Sequence, residues 1–378
     1  MSVHVLLNGL LLSRHPSGIG RYILNLVEAM APQLRPGERL TLVVPHDLSP
    51  ASVPLSSTAG MDLLKVSVPC NHPPRRIVWE QLILPDLATR LRATVLFSPA
   101  YALPLRTTIP GVVTVHDLAF LRYDNVHPHL NRWYLTWITR ASVRRAKCVI
   151  AVSESTKKEL EQLLGVPTDK IRVIHNGVSR HFRKVPPTEA AQVRERYRLP
   201  DNYILYVGNI EPRKNLPVLL KAFDQIKEKS FVPHQLVILG QRAWMYGAVD
   251  STWQALKAKD HVVFTGYVPA EDLPAIYSLA DVFVYPSLYE GFGLPVLEAM
   301  ACGTPVITSN TSSLPEVAGD AAELVDPRSV DALSRALCRL IHDHNYRQQL
   351  VRKGLERAAM FSWERTAVAT LELLRAAT

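Results

Sequence analysis

Glu290-Gly-Phe-Gly-Leu-Pro-Val-Leu-Glu298 is the stretch on which the reading of this chain turns. An apolar, β-rich run, Val282–Tyr285, ends just before it. Pro295 suits a first helical turn, where a missing N–H costs nothing, and Gly303 suits the residue after a helix. The spacing therefore predicts a short helix over 294–302 that begins where a strand has just ended. First-turn amides lack partners within their helix and, together with its dipole, favour an anion. Gly291 and Gly293 let a ligand approach the backbone closely. Glu290 falls in the loop and Glu298 one turn into the helix. Two carboxylates so placed can accept hydrogen bonds from different hydroxyls of one extended polyol.

Outward from this stretch, short apolar runs alternate with longer helical patterns. The first half reads as strands at Val3–Leu7, Leu40–Val44, Val95–Phe97, Gly111–Val115, Cys148–Val152 and Ile171–Ile174. Amphipathic helices are expected at Gly20–Met30 and Ser155–Leu164. Residues 179–200 break the pattern with Pro186-Pro187 and many charges, and read as a linker with a short helix. The alternation then restarts with strands Tyr203–Val207, Gln235–Leu239, Val262–Thr265, Val282–Tyr285 and Pro305–Thr308, and a helix Leu216–Lys227. Such alternation implies an α/β fold with parallel strands. The 378 residues suit two domains at roughly 150 residues each. The simplest architecture is two Rossmann-like halves facing across a cleft, with ligands beyond the carboxyl ends of the strands.

Glu, seven residues, Glu after a strand resembles the signature of the retaining glycosyltransferases of family four, which have the GT-B fold. Gly208-Asn-Ile-Glu-Pro-Arg-Lys-Asn215 resembles that family's phosphate-binding segment. Val173-Ile-His-Asn-Gly-Val178 resembles the end of its first domain, and Phe264-Thr-Gly-Tyr-Val268 its nucleotide-base strand. The resemblance spans nearly the whole chain. It implies an acceptor-binding domain over 1–180, a linker over 181–200 and a nucleotide-sugar-binding domain over 201–360. The segment from Phe361 to 378 would form a helix crossing back to the first domain. It implies transfer of a hexosyl group, with retention, from a nucleotide diphosphate-sugar to a hydroxyl of a glycan or lipid-diphosphate-linked acceptor. The similarity is to bacterial enzymes of surface-polysaccharide assembly that use GDP-mannose or a related GDP-deoxysugar. UDP-glucose stays open as donor, because backbone groups can read the base. By the same resemblance, Glu290 and the backbone of Gly291, Phe292, Gly293 and Leu294 would hold the sugar. Glu298 would hold the ribose, and the chain near Val268 the base. Front-face attack, with a leaving-phosphate oxygen as base, is the expected route, and a covalent route through Glu290 the alternative.

Arg213 and Lys214 follow strand Tyr203–Val207 and precede a helix. An Arg fork and a Lys point charge both suit a diphosphate. Negative charge grows on the leaving phosphate as the donor bond breaks, so fixed cations there favour the transition state. The chain contains no D-x-D, and no metal or other cofactor is expected. His342-Asp-His344 lies in a polar stretch near the C-terminus and reads as helix or loop rather than a metal site.

In the first half, Gly18-Ile-Gly-Arg-Tyr22 opens a helix after the first strand. Gly18 and Gly20 would offer backbone amides to the donor phosphates, with Arg21 facing donor phosphate or acceptor. His116 ends strand Gly111–Val115, and the resemblance places it beside the donor sugar. Asp117 is expected to cap the following turn or orient His116. His175-Asn-Gly reads as a turn. Ser313-Leu-Pro-Glu316 reads as a capping box opening a helix.

Charge divides unevenly. Residues 1–180 hold 21 basic and 12 acidic side chains, the whole surplus of nine, whereas 181–378 hold 22 of each. The first half should therefore face something anionic. Within Arg132–Lys147, Trp133, Trp137 and Ala141 share one helical face and Arg140 and Arg144 another. That composition suits a membrane surface or a lipid-linked acceptor, with packing in the core as the other reading of Trp133. Arg75 and Arg76, ahead of Trp79, form a second candidate of the same kind. No zinc spacing or RNA motif accompanies the high pI, so nucleic acid is not an expected partner. A non-catalytic sugar-nucleotide sensor is the remaining alternative. Cys70, Cys148, Cys302 and Cys338 are scattered, and no signal peptide or 18-residue apolar run is seen. A cytoplasmic protein, peripheral on the inner face of a membrane, is the expectation.

Overall fold

The computed structural model describes residues 2–13, 18–49, 59–69, 72–123, 129–229, 232–241 and 247–378. Cys70 lies outside them. The chain forms two compact units, Met1–Gly177 with Trp363–Thr378, and Val178–Ser362.

The first unit is built on seven parallel strands: β1 (His4–Asn8), β2 (Arg39–Pro45), β3 (Met61–Val66), β4 (Val95–Ser98), β5 (Gly111–Val115), β6 (Cys148–Ala151) and β7 (Ile171–Val173). Their order across the sheet is β3-β2-β1-β4-β5-β6-β7. The central β1 pairs Val5 with Leu40 on one side and with Val95 on the other. Every residue of β1, β4 and β5 is buried, as parallel strands covered on both faces require. Helix Gly18–Met30 buries Tyr22, Ile23, Leu26, Val27 and Met30, the stripe of an amphipathic helix. Against the same side of the sheet lies the final helix, Trp363–Ala377, through Trp363, Ala367, Leu371 and Leu374. It is tied down by Thr366 Oγ1 donating to the His175 carbonyl at 2.7 Å and by Arg375 on Glu38. The opposite side of the sheet carries Trp79, Leu84, Ala88, Val143, Ala146 and Leu160.

The second unit has six parallel strands: β8 (Tyr203–Val207), β9 (Gln235–Leu239), β10 (Val262–Gly266), β11 (Val282–Tyr285), β12 (Val306–Ser309) and β13 (Ala322–Val325). Their order is β10-β9-β8-β11-β12-β13. This order reverses direction at β8/β11, the kind of switch point beyond which ligands bind in open α/β sheets.

Two strands have no counterpart in the sequence reading, β3 and β13. Both are edge strands. An edge strand has a neighbour on one side only, so polar residues interrupt it, here Asp62, Lys65 and Glu323, and the apolar run that marks a central strand is lost. The stretch 181–200, expected as a linker, is instead part of the second unit. Its helix, Pro187–Tyr197, buries Ala190. Arg196 and Tyr197 both bond Asp272, at 2.8 and 2.7 Å.

Candidate active site

The site in the second unit begins where β8, β9 and β11 end. The amide of Gly208, just past β8, donates to Leu239 O at 2.9 Å. Gly240, just past β9, has φ +147, and a Cβ there would stand 1.9 Å from the Gly208 carbonyl oxygen. The two strand ends thus touch through bare backbone. Sequence reading picked out Gly208 but not Gly240.

From Gly208 the chain leads into a single 3-10 turn, Pro212–Lys214, which ends on Asn215 in the left-handed region. Asn215 can stay there because its side-chain amide donates to the carbonyls of Pro286 (3.1 Å) and Pro327 (2.6 Å). The turn directs Arg213 and Lys214 at Glu290. Lys214 Nζ donates to Glu290 Oε1 at 2.6 Å and to the Tyr285 hydroxyl at 2.6 Å. Arg213 Nη1 donates to Glu290 Oε2 (2.9 Å) and to the Tyr289 carbonyl (2.7 Å), while Nη2 bonds Glu211 at 2.8 Å. Ser287 Oγ adds a third donor to Glu290, on Oε1 at 2.6 Å.

Burial works against the charge on Glu290, but Arg213, Lys214 and the hydrogen bonds from Lys214 and Ser287 outweigh it. They hold the carboxyl down at about 2. For Lys214, burial lowers the pKa and Glu290 opposes that fall. Burial, with the Glu290 charge adding to it, keeps the Tyr285 phenol protonated. Glu290 is therefore an anion at neutral pH, already gripped by two cations. A carboxylate accepts about four hydrogen bonds, and three side-chain donors leave Oε2 with capacity for a ligand hydroxyl. An ammonium has three donor protons, of which Lys214 spends two. Arg213 is turned into the protein, onto Tyr289, Glu290 and Glu211.

The loop carrying Glu290 is clamped by three consecutive hydroxyls, Thr311, Ser312 and Ser313. Thr311 Oγ1 donates to Leu288 O at 3.3 Å. Ser312 Oγ accepts from Glu290 N at 3.0 Å. Ser313 Oγ stands 2.9 Å from Glu290 O and 2.8 Å from Phe292 O, its one proton shared between them. Ser312 adopts φ +54 to make this possible, a strained backbone of the kind stored at functional sites. The capping-box reading of Ser313 is corrected by this geometry. Ser313 makes no side-chain cap to its own helix and holds the Glu290 loop instead. Replacing it by alanine removes that hydroxyl from two buried carbonyls. Ser313→Ala should cost about 1–3 kcal/mol in stability and lower kcat more than it raises KM, measured by urea unfolding and steady-state kinetics.

The expected short helix is Leu294–Ala301. It starts from Gly293 at φ +110, where a Cβ would stand 2.7 Å from a Leu314 methyl. Gly291, Phe292 and Gly293 are buried and Leu294 is half-buried. Glu298 is buried in that helix and accepts from the Tyr277 hydroxyl at 3.0 Å. Val268 is buried just beyond β10, beside the exposed Tyr267. His342, Asp343 and His344 mark a helix junction, where Asp343 caps the last helix but one by accepting from Tyr346 N at 2.9 Å. Among the described residues no three His, Cys, Asp or Glu side chains converge as metal ligands.

In the first unit, His116 follows β5 at the carboxyl edge of its sheet. Its Nε2 is 2.7 Å from the Pro99 carbonyl, which can only accept. A neutral ring must therefore carry its proton on Nε2, leaving Nδ1 as an acceptor. Burial pushes the His116 pKa down, against weaker opposing effects of the Pro99 carbonyl and Asp117, so the ring is neutral at pH 7. Tyr22 braces it edge-on at 4.7 Å. Asp117 accepts from Ala119 N at 3.0 Å and so caps the next turn. Gly18 opens its helix with open space where a Cβ would be, and Gly20 is buried in its first turn. Arg21 is half-buried on the same helix.

The remaining candidates lie elsewhere on the first unit. Arg75 is exposed and Arg76 half-buried, 3.9 Å from Glu80. Trp133 and Trp137 are 70% and 48% exposed on helix His129–Arg145, which removes the core reading of Trp133. Arg140 and Arg144 are exposed as well. At 3.6 residues per turn, positions 133, 137, 140 and 144 fall within about 60° of one another. The tryptophans and arginines thus share one face, not two. Among the described residues no helix is long and apolar enough to cross a membrane.

Two parallel-sheet Rossmann-like units, the second with a gripped glutamate at its strand ends, define a glycosyltransferase of GT-B architecture. The comparisons agree. The model for Glycosyltransferase Family 4 matches residues 16–182, and that for Glycosyl transferases group 1 matches 189–357. The chain is 37% identical over 277 residues to O-antigen chain mannosyltransferase B of Escherichia coli, a match covering 72% of each chain. It is 31% identical to a GDP-mannose-dependent alpha-(1-6)-phosphatidylinositol monomannoside mannosyltransferase of Mycolicibacterium smegmatis, over 58% of this chain and 60% of that one. Among solved structures, sucrose-phosphate synthase from Thermosynechococcus elongatus superposes with TM-score 0.78 at 24% identity, over 99% of this chain and 98% of that chain. The chain belongs to glycosyltransferase family four.

Proposed function

We propose that this glycosyltransferase moves a mannosyl or related deoxyhexosyl group, with retention and without a metal, from a GDP-linked donor to a hydroxyl of a glycan or lipid-linked acceptor. The observation that carries the reading is the ionised, buried Glu290 held between Lys214 and Arg213 where two adjacent strands end. Glu290 Oε2 takes a hydroxyl of the donor sugar, and the backbone of Gly291–Leu294 lies along it. The third proton of Lys214 goes to the diphosphate, whose growing charge is met by a cation already fixed in place. Such preorganisation stabilises a transition state at no cost of rearrangement. Arg213 supports this from behind, through Glu290. Glu298 takes the ribose, and the backbone at Val268 the base. The amides of Gly18 and Gly20 serve the phosphates. His116 Nδ1 accepts from a donor hydroxyl. Attack on the donor face by the acceptor, with a phosphate oxygen taking its proton, needs no further protein base. The mannosyl and GDP assignments draw on the activities named for the two bacterial relatives.

The test is thermal stabilisation by a donor panel. GDP-mannose near a hundred times its Kd should stabilise the chain by about 2.7 kcal/mol, read as a rise in Tm, and Lys214→Met should abolish most of that rise. A shift with UDP-glucose and none with any GDP-sugar would overturn the donor assignment. An undiminished shift in Lys214→Met would overturn the role of Lys214.

A further inference from the structure

We propose that one outer face of the first unit docks on an anionic lipid bilayer, through two adjacent elements that present apolar and basic side chains together. The first is the helix His129–Arg145, with Trp133, Trp137, Arg140 and Arg144 outward. The second is the run Pro73–Arg90, whose helix is interrupted by a wider π-type turn at Trp79–Ile83. An extra residue in such a turn shifts the helical register. Here Trp79, Glu80 and Leu84 point inward, while Val78, Leu82 and Ile83 are left exposed beside Arg75. Sequence reading marked Arg75 and Arg76 but not this aliphatic trio.

Both elements bury their inner faces in the same core layer, through Trp79, Leu84, Ala88, Val143 and Ala146. Leu103 joins the two elements, its amide donating to Ser142 Oγ of the helix at 2.8 Å and its carbonyl accepting from Gln81 Nε2 of the run at 3.3 Å. Their outer faces therefore look to the same side of the sheet. Five large apolar side chains exposed on two elements of one core layer are unusual on a soluble surface. Tryptophans beside arginines suit the boundary between headgroups and acyl chains.

Charge selects the occupant. The helix His129–Arg145 contains no acidic residue. In the neighbouring run Glu80 is buried, which leaves Asp86 against the exposed Arg75 and Arg90. A second copy of the chain would set like charges face to face. A negatively charged lipid surface attracts each arginine while the tryptophans and aliphatic residues enter the interface. The helix lies in the connection from β5 to the parallel β6 and so begins towards the carboxyl edge of the sheet, where His116 lies. Trp133 and Trp137 occupy that first half. A surface held there brings a lipid-linked hydroxyl towards the end of the unit that carries His116. The inference rests on the proposed transfer to a lipid-linked acceptor only for this last step.

The experiment is co-sedimentation of the full chain with vesicles of phosphatidylcholine alone or with 30% phosphatidylglycerol as the chosen probe. Wild type should pellet with the anionic vesicles and stay in solution with the neutral ones, and raised salt should release it. Arg140→Gln should weaken binding about fivefold, as should Arg144→Gln, each removing one basic side chain from an anionic surface. Trp133→Ser with Trp137→Ser should weaken it by tenfold or more, whereas Leu355→Ser, an exposed apolar site on the second unit, should leave it unchanged. Failure of the wild type to pellet overturns the inference. Binding that survives the double tryptophan change, or that is matched by heparin or DNA at equal salt, also overturns it, leaving a generic basic surface. The donor-induced rise in Tm, followed in the same samples, separates the outcomes. Loss of vesicle binding with that rise intact concerns docking alone, and absence of the rise in wild type concerns the proposed transfer.

Discussion

Glu290→Gln is expected to fold, to transfer glycosyl groups at least about a hundredfold more slowly, and to lose about 3–5 kcal/mol of stability. Glutamine keeps the shape and one carbonyl oxygen, so the change removes charge rather than volume. Two cations then remain in a buried site, Lys214 against Tyr285 and Arg213 against Tyr289, with Glu211 as the remaining carboxylate partner of Arg213. Removing one member of a buried ion pair costs far more than the net worth of the intact pair. Adding Lys214→Met removes the stranded ammonium. The double variant should recover part of the stability and none of the activity. Urea unfolding and transfer rates on the three proteins give the answer. Equal stability of wild type and Glu290→Gln would remove the ion-cluster account, and near-normal turnover would remove the catalytic role.

The pH dependence follows from the same cluster. The Glu290 carboxyl sits at about 2 in the folded chain, below its ordinary 4.5. A depressed carboxylate stabilises fully above its unfolded pKa, and that stabilisation disappears as pH falls towards the folded one. The gap in stability between wild type and Glu290→Gln should therefore be constant near neutrality and close below pH 4.5, as the unfolded chain takes up its proton.

Gly240→Ala is expected to destabilise the second unit by about 3 kcal/mol or more. Two penalties coincide. The backbone φ of +147 belongs to a region that side-chain-bearing residues rarely adopt, and the new Cβ would meet the Gly208 carbonyl oxygen at 1.9 Å. Neither neighbour can give way cheaply. Gly208 is itself bonded through its amide to Leu239, and Gly240 through its amide to Gly266 at 3.0 Å. A shift large enough to admit the methyl group would part β8 from β9 at their carboxyl ends. Donor-induced stabilisation should fall with it, because Arg213 and Lys214 follow directly. A variant as stable as wild type in urea unfolding would show that this backbone contact has more room than its geometry allows.

Much of the fold was legible because central parallel strands are apolar on both faces. Gly111–Val115, Tyr203–Val207, Gln235–Leu239 and Val282–Tyr285 are read to the residue. The edge strands Met61–Val66 and Ala322–Val325 were not legible, since an edge carries polar side chains at positions that a central strand fills with apolar ones. The same limit applied to Trp133. Helical spacing groups it with Trp137, but which side of a helix faces the core depends on what packs beneath, and there Ile138, Thr139, Ser142 and Val143 are the buried residues.

By itself the sequence determined the two-fold α/β plan, the strand–loop–helix that carries Glu290 and Glu298, and the basic pair at 213 and 214. Each is a local pattern, written in apolar period, glycine, proline and charge. Only the tertiary structure decided that the basic pair grips Glu290, that Gly240 must be bare to pass Gly208, and that Ser313 clamps a loop instead of capping its own helix. These depend on residues 21 to 77 positions apart in the chain, or on two strand ends meeting. The partner of a hydrogen-bonding or charged group is chosen by whatever the fold brings within about 3 Å of it, and no local pattern in the sequence encodes that choice.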